Sequence, residues 1–584
     1  MRDGDDVVEV HHDRIRELVV DMLEPGAQRT LHGRLGDLLV RRSAAPELVA
    51  RHYRGAGRLA DALPHTIAAG ERAMAALAFR RAAGFFVAAL DLCTGEASRR
   101  DLNLRAAEAW ARIGRSVEAA AHYEEAATSL TEAEALPIRR AAALILLRGG
   151  EFERGLDGLR GVLAAVGEAW PRGTLRVQAA LGVERLRLRL ALRRASHATP
   201  TAEGLARLDT LAAAREGLSS ADPIAAALFQ ARYLRASLEV GDPDHLAVAL
   251  SGEAAFLAYF GSPRAERFLR EARAMNARGA APRTRESLHL CTAVVAFCEG
   301  DWSRTLSNVD AYRRLGLHHD GSHYVAAMGG FFELGALFFC GRFRELIARR
   351  RELVGWADEA GDRLAATTLR AGHQVFALLA LDRPDEAAAE LDTSFEGWPE
   401  VARLTQQAWA FHGDRAVDLY LGDRERAWER CAAAWPGLGR FLRAAGPFVG
   451  ITSAFWRGSV AVAAAWVGRR RERLAVVDAM ATAIARHGRA WGLPFADLLS
   501  AGAAWARGDR GAAAEAYASA SRRFDRAGMA LFAAAARWRL GEVLGGDDGR
   551  SLILAAERRL RAEDVRDPAR IVATLAPGPV NQGS

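Results

Sequence analysis

Histidine, cysteine and carboxylate side chains are this chain's candidates for chemistry. His318, His319 and His323 gather around Asp320 in a His-His-Asp-Gly-Ser-His run, and imidazole with carboxylate suits zinc. The run contains a glycine and reads as a loop between helices, where nothing holds ligand geometry, so no metal site is assigned to it. His12 and Asp13, next to His11, read as caps for the helix that follows them. The five cysteines, Cys93, Cys291, Cys298, Cys340 and Cys431, are odd in number and show no CxxC spacing. That pattern argues against disulfides and a cysteine-rich zinc site, and for a reducing cytoplasm. Cys291 and Cys298 lie seven apart, on one face of a helix, and read as small core residues.

The basic residues exclude more than the histidines suggest. The chain has no lysine, and all 79 basic side chains are arginine. A P-loop uses lysine to reach the β- and γ-phosphates. A protein kinase uses one to pair the α- and β-phosphates with a glutamate. A Schiff-base enzyme uses one as its nucleophile. No GxSxG elbow, HExxH pair or glycine-rich phosphate loop is present either. No catalytic residue, cofactor-binding residue or metal ligand is therefore assigned, and no cofactor is expected. The net charge of +7 is diluted over 584 residues with 72 acidic side chains, which disfavours nucleic acid as a partner.

One basic stretch stands apart. Glu184-Arg185-Leu186-Arg187-Leu188-Arg189-Leu190-Ala191-Leu192-Arg193-Arg194 alternates charge and leucine. Alternation is a strand signal, but the alanine-rich flanks and the lack of β-branched residues favour helix. Arg185, Arg187, Arg189, Arg193 and Arg194 are the candidate basic docking surface, for acidic protein or for nucleic acid; the plainer reading is a solvated face.

The elements that would position such residues come from internal repetition. An apolar helix end, a turn glycine, one or two polar residues and an alanine-rich helix recur. Copies stand at Gly57-Arg58-Leu59-Ala60-Asp61-Ala62, at Gly114, and around Gly150, Gly241, Gly300, Gly341, Asp382, Gly422, Gly468 and Gly508. Gly300 to Gly341 spans 41 residues, Gly341 to Asp382 another 41, and Asp382 to Gly422 spans 40. Tetratricopeptide units run about 34 residues and related two-helix units about 40 to 47. The expected fold is thus all-α, a tetratricopeptide-like α-α superhelical solenoid. Aromatic pairs seven apart, Trp428 with Trp435 and Tyr517 with Phe524, read as core anchors. Asp301, Asp423 and Asp509, directly after turn glycines, read as helix caps.

Two regions break the pattern. Over residues 168–220 the period blurs, which suggests an irregular insertion. Residues 1–45 carry a short strand-like run, Val7–His11, then an amphipathic helix with Ile15, Leu18, Val19 and Met22 on one side. A turn at Pro25-Gly26 and a helix from about Ala27 to Arg42 follow. This segment reads as a small winged-helix remnant, the tail of another domain, and residues 46–584 as the array. Met1–Asp6 is acidic, unlike a signal peptide. The stretch Ile451–Val467 is apolar but interrupted by Arg457, and reads as a pair of buried helices, with no membrane span expected.

Several segments resemble a known family. Val8-Glu9-Val10-His11-His12-Asp13-Arg14-Ile15-Arg16-Glu17 looks like the strand–helix segment closing an ATPase module. Asp222-Pro223-Ile224 with Phe229-Gln230-Ala231-Arg232 resembles the middle of that family's array. Leu540-Gly541-Glu542-Val543-Leu544-Gly545-Gly546-Asp547, Asp567-Pro568-Ala569-Arg570 and Leu575-Ala576-Pro577-Gly578 resemble its carboxy terminus. The family is that of large bacterial signalling proteins with a serine/threonine kinase domain, an AAA-type, STAND-like signal-transduction ATPase and a tetratricopeptide array. The resemblance covers only the last part of that architecture, so the family's phosphoryl-transfer residues have no positions here.

What the resemblance implies is a non-catalytic, cytoplasmic interaction or sensor module. A protein or peptide would bind the concave face, and an ATPase or kinase in cis or trans would be regulated. The alternatives are the sensor end of a complete kinase–ATPase, or a nucleic-acid-associated transcriptional regulator of the maltose-regulator type.

Overall fold

The computed structural model describes residues 22–192, 199–219, 222–276, 281–315, 323–396, 398, 400–442 and 446–579. Among these residues every regular element is helical, with 29 α-helices and one short 3-10 helix. The strand-like run Val7–His11 and the His318–Asp320 cluster lie outside the described residues, as does the side chain of His323. The helix starts at Pro25 itself and runs to Arg41, so Pro25-Gly26 opens a helix where a turn was expected. Proline at a first helical position gives up only an N–H that has no intrahelical acceptor.

The chain divides into two compact units, residues 1–151 and 152–584. In the first, helices pair as antiparallel hairpins: Pro25–Arg41 with Pro46–Gly55, Leu59–Ala75 with Phe79–Leu90, Glu96–Ala111 with Ser116–Ala127. Each hairpin turn has one left-handed residue: Ser43, Leu77, Gly114 and, after the Glu132–Arg148 helix, Gly150. Ser43 to Leu77 spans 34 residues, Leu77 to Gly114 spans 37, and Gly114 to Gly150 spans 36, the tetratricopeptide period. Gly57 (φ 72°) also takes the left-handed conformation, in the turn between the Pro46–Gly55 and Leu59–Ala75 helices, as the recurring phrase expected. The turns at Ser43 and Leu77 have no glycine to mark them.

In the second unit the positive-φ turn residues include Gly241, Gly300, Gly341, Asp382, Gly422, Arg469 and Gly508. Arg469, not Gly468, takes the left-handed conformation at its turn (φ 40°). The aspartates after the turn glycines cap the next helices as expected. The Oδ1 atoms of Asp301, Asp423 and Asp509 accept the N–H of Arg304 (3.0 Å), Arg426 (3.1 Å) and Ala512 (2.9 Å). The Ile451–Val467 stretch lies mainly in one helix, Pro447–Ala465, where two were expected. This helix is long and apolar enough to cross a membrane, but 89% of its most apolar window is buried inside the protein. Arg457 is accommodated by lying over the Trp435 ring, 4.2 Å from its centroid.

The hairpins of this unit also meet across long stretches of sequence. Trp302 Nε1 donates to the Ala527 carbonyl (3.0 Å) and Trp491 Nε1 to that of Cys298 (3.2 Å). Arg344 pairs with Asp564 at 3.0 Å. Phe297, Phe338, Phe339, Phe448, Phe495 and Phe532 form a continuous aromatic core between the 282–380 and 447–544 helices. Tyr517 and Phe524 are buried in that core as the spacing predicted, and Trp428 and Trp435 pack partly buried against it. Over this stretch the facing surfaces of the hairpins pack on one another.

Candidate protein-docking face

The described part of the basic stretch, from Glu184 on, closes one helix, Thr174–Ala191, with Leu192 as its C-cap, which settles the helix–strand ambiguity there. It packs along Pro223–Val240 through a buried side holding Val177, Glu184 and Leu188. The burial of Glu184 is compensated by charge. The Arg235 guanidinium donates to Glu184, and Arg187 stands 3.7 Å from its other oxygen.

Two more glutamates are held in the same layer. Glu168 is buried between Arg207 (2.6 Å) and Arg232 (3.2 Å). Glu253, on Pro243–Tyr259, receives Arg185, whose guanidinium also lies 4.1 Å from the Phe256 ring centroid. Burial pushes the Glu253 carboxyl above its ordinary range, against the opposing pull of Arg185. Such pairs are costly to break because the remaining charge is left buried without its partner.

The five arginines singled out by the sequence therefore separate. Arg185 is spent on internal Glu253 and is not free to dock anything. Arg187 and Arg189 are exposed. Arg193 and Arg194 lie outside the described residues. Among the described residues, no group of three or more His, Cys, Asp or Glu side chains is placed to hold a metal ion. The five cysteines are all free, and four of them are buried.

Sequence reasoning about charge missed the leucines. A two-residue alternation wound into a helix puts Leu186 and Leu188 about 200° apart, so one packed side cannot bury both. Leu188 is buried, whereas Leu186 is 60% exposed, Leu190 58%, Val183 49% and Leu175 82%. Leu175, Ala179, Val183, Leu186 and Leu190 fall on one stripe, three or four residues apart. Arg176 and Arg187 run along one border of the stripe and Arg189 along the other. The helix has one acidic residue, Glu184, and its charge is consumed inside. The outer face of Thr174–Ala191 is thus apolar in the middle and basic at both edges.

No family model matches the chain, and no curated protein sequence matches it. Solved structures similar to it include the APC/C hetero-tetramer Cut9–Hcn1, at 14% identity over 87% of this chain and 88% of that one, TM-score 0.38. The TPR domain of P58(IPK) is 15% identical over 86% of this chain and 99% of that one, TM-score 0.19. A circular tandem repeat protein of novel repeat topology is 14% identical over 91% and 98%, TM-score 0.15.

Proposed function

We propose that this chain is a non-catalytic protein–protein interaction module that regulates an ATPase or serine/threonine kinase, linked to it or separate. One observation carries the interaction reading: a stable helical array leaves a continuous apolar stripe uncovered on Thr174–Ala191. Solvent exposure of such a stripe is unfavourable unless a partner covers it. Leu31, Leu35 and Leu38 form a second, half-exposed row on the Pro25–Arg41 helix, which suits a further protein surface. The ATPase or kinase context rests on the family resemblance of the segments quoted above, and a cytoplasmic setting on the unpaired cysteines.

A photo-crosslinking residue at Leu186, and separately at Leu35, tests this in the native cells. Crosslinks to a protein carrying a nucleotide-binding or kinase domain would bear the proposal out. Crosslinks to nucleic acid alone, or none from either position, would sink it.

A further inference from the structure

We infer that the outer face of the Thr174–Ala191 helix docks an acidic amphipathic helix of a partner protein. The inference rests on the interaction reading above and names the partner's chemistry. Two features of the face select it. The first is shape: an exposed stripe with apolar residues every three or four positions matches the apolar side of another helix, whose ridges seat between these side chains. The second is charge: Arg176, Arg187 and Arg189 border the stripe, and the one carboxylate of the helix is buried and paired. A partner with glutamate or aspartate flanking its own apolar row places opposite charges along both borders, and a basic partner is repelled at the same positions.

The internal ion pairs make this face a firm platform. Arg185 and Arg235 tie Glu253 and Glu184 across three helices, so the stripe is held from behind. Nucleic acid fits less well. Phosphates are bound by arginine or lysine, and the middle of this face offers them exposed leucine instead.

The test uses the full chain and a synthetic 18-residue peptide with leucine every third or fourth position and glutamate along both borders. A control peptide carries lysine in place of each glutamate. Binding is followed by fluorescence anisotropy at low and high salt, with circular dichroism confirming that each variant is folded. The glutamate peptide is expected to bind the wild-type chain, more weakly as salt rises, and the lysine peptide to bind at least about tenfold more weakly.

In Leu186→Ser/Leu190→Ser, affinity for the glutamate peptide should drop about tenfold or more, since two leucines that the docked peptide would cover are lost. Arg187→Glu/Arg189→Glu should weaken the glutamate peptide and strengthen the lysine peptide. Equal binding of the two peptides, unchanged affinity in both double variants, or displacement of the peptide by duplex DNA would overturn the inference. Failure of the glutamate peptide to bind, alongside a protein crosslink from Leu186 or Leu35 in cells, would remove this partner class and leave the interaction reading standing.

Discussion

The two units are built from the same hairpin and reach different kinds of core. In residues 22–151 the buried side chains form small separate clusters, such as Val49, Tyr53 and Ala62, or Ala119, Ala120, Ala142, Ile145 and Leu146. Alanine dominates, and the packing joins helices that are neighbours in sequence. In residues 152–584 one cluster runs from Phe297 to Ala576 and is rich in phenylalanine and tryptophan. Its hydrogen bonds tie residues far apart in sequence, as between Trp302 and Ala527. The lesson is about side-chain size. Alanine faces let adjacent helices approach closely but offer little surface to any more distant element. Large aromatic side chains reach across and join hairpins that are not neighbours. An array with neighbour-only contacts has local stability, whereas one closed by distant contacts should unfold as a unit.

Core truncation should break that comparison most strongly. Phe532→Ala removes a ring packed against Phe338, Phe455, Phe495 and Phe524, at a cost of about 3–5 kcal/mol. Hydrogen exchange should then rise together across 282–380 and 447–579 and leave 22–151 unchanged. Phe86→Ala should raise exchange only near the helices between Leu59 and Ala111. Exchange confined to the Ala530–Leu544 helix in Phe532→Ala would disprove the closed second unit.

Turn glycines sharpen the contrast. Gly300 has φ 81°, and a Cβ there would stand 2.6 Å from the Trp491 side chain, whereas at Gly57 (φ 72°) nothing lies within 4 Å. Gly57→Ala should cost only the left-handed strain, about 1–2 kcal/mol. Gly300→Ala should cost clearly more, because the Trp491 contact must also give way. Equal chemical-denaturation midpoint shifts, each unit being followed by its own exchange probes, would mean that Trp491 yields freely.

Acid provides the smallest expected effect over a single pH step. Burial lowers His373 from its ordinary 6.5 to about 3, and His412, 5.6 Å away between ring centroids, well below its own ordinary value. Between these pH values the unfolded chain binds protons that the folded chain does not, so stability falls as pH falls from 6.5 toward 3. For His373 the slope is about 1.4 kcal/mol per pH unit. Between pH 6.5 and 5.5 the unfolded imidazole goes from half to nearly full protonation, so His373→Phe should be less acid-sensitive than wild type by about 1 kcal/mol over that step in denaturant melts of the second unit. Parallel pH profiles for the two proteins would show that His373 titrates in the fold as it does in the unfolded chain.

Much of the fold was legible from residue order. The alanine-rich helices, the turns at Gly114, Gly241, Gly300, Gly341, Asp382, Gly422 and Gly508, and the aspartate caps all depend on local chemistry. Ser43, Leu77 and Arg469 escaped because a non-glycine residue can take the left-handed conformation at a turn between helices for a modest cost, and nothing in its side-chain type marks it. The docking face was half legible. Its arginines stood out, but which of them would be spent inside depended on Glu184 and Glu253, the latter on a different helix 68 residues from Arg185.

The sequence by itself determined that the chain would be helical and repetitive, since propensity, glycine stops and capping act within a few residues. It also determined, through the absence of lysine, which phosphate chemistries this chain cannot perform in their usual form. Tertiary structure alone decided that hairpins near 300 would close on those near 500, that Arg185 would turn inward, and that Leu186 and Leu190 would face out. These outcomes depend on contacts between distant segments, whose pairing no local pattern encodes.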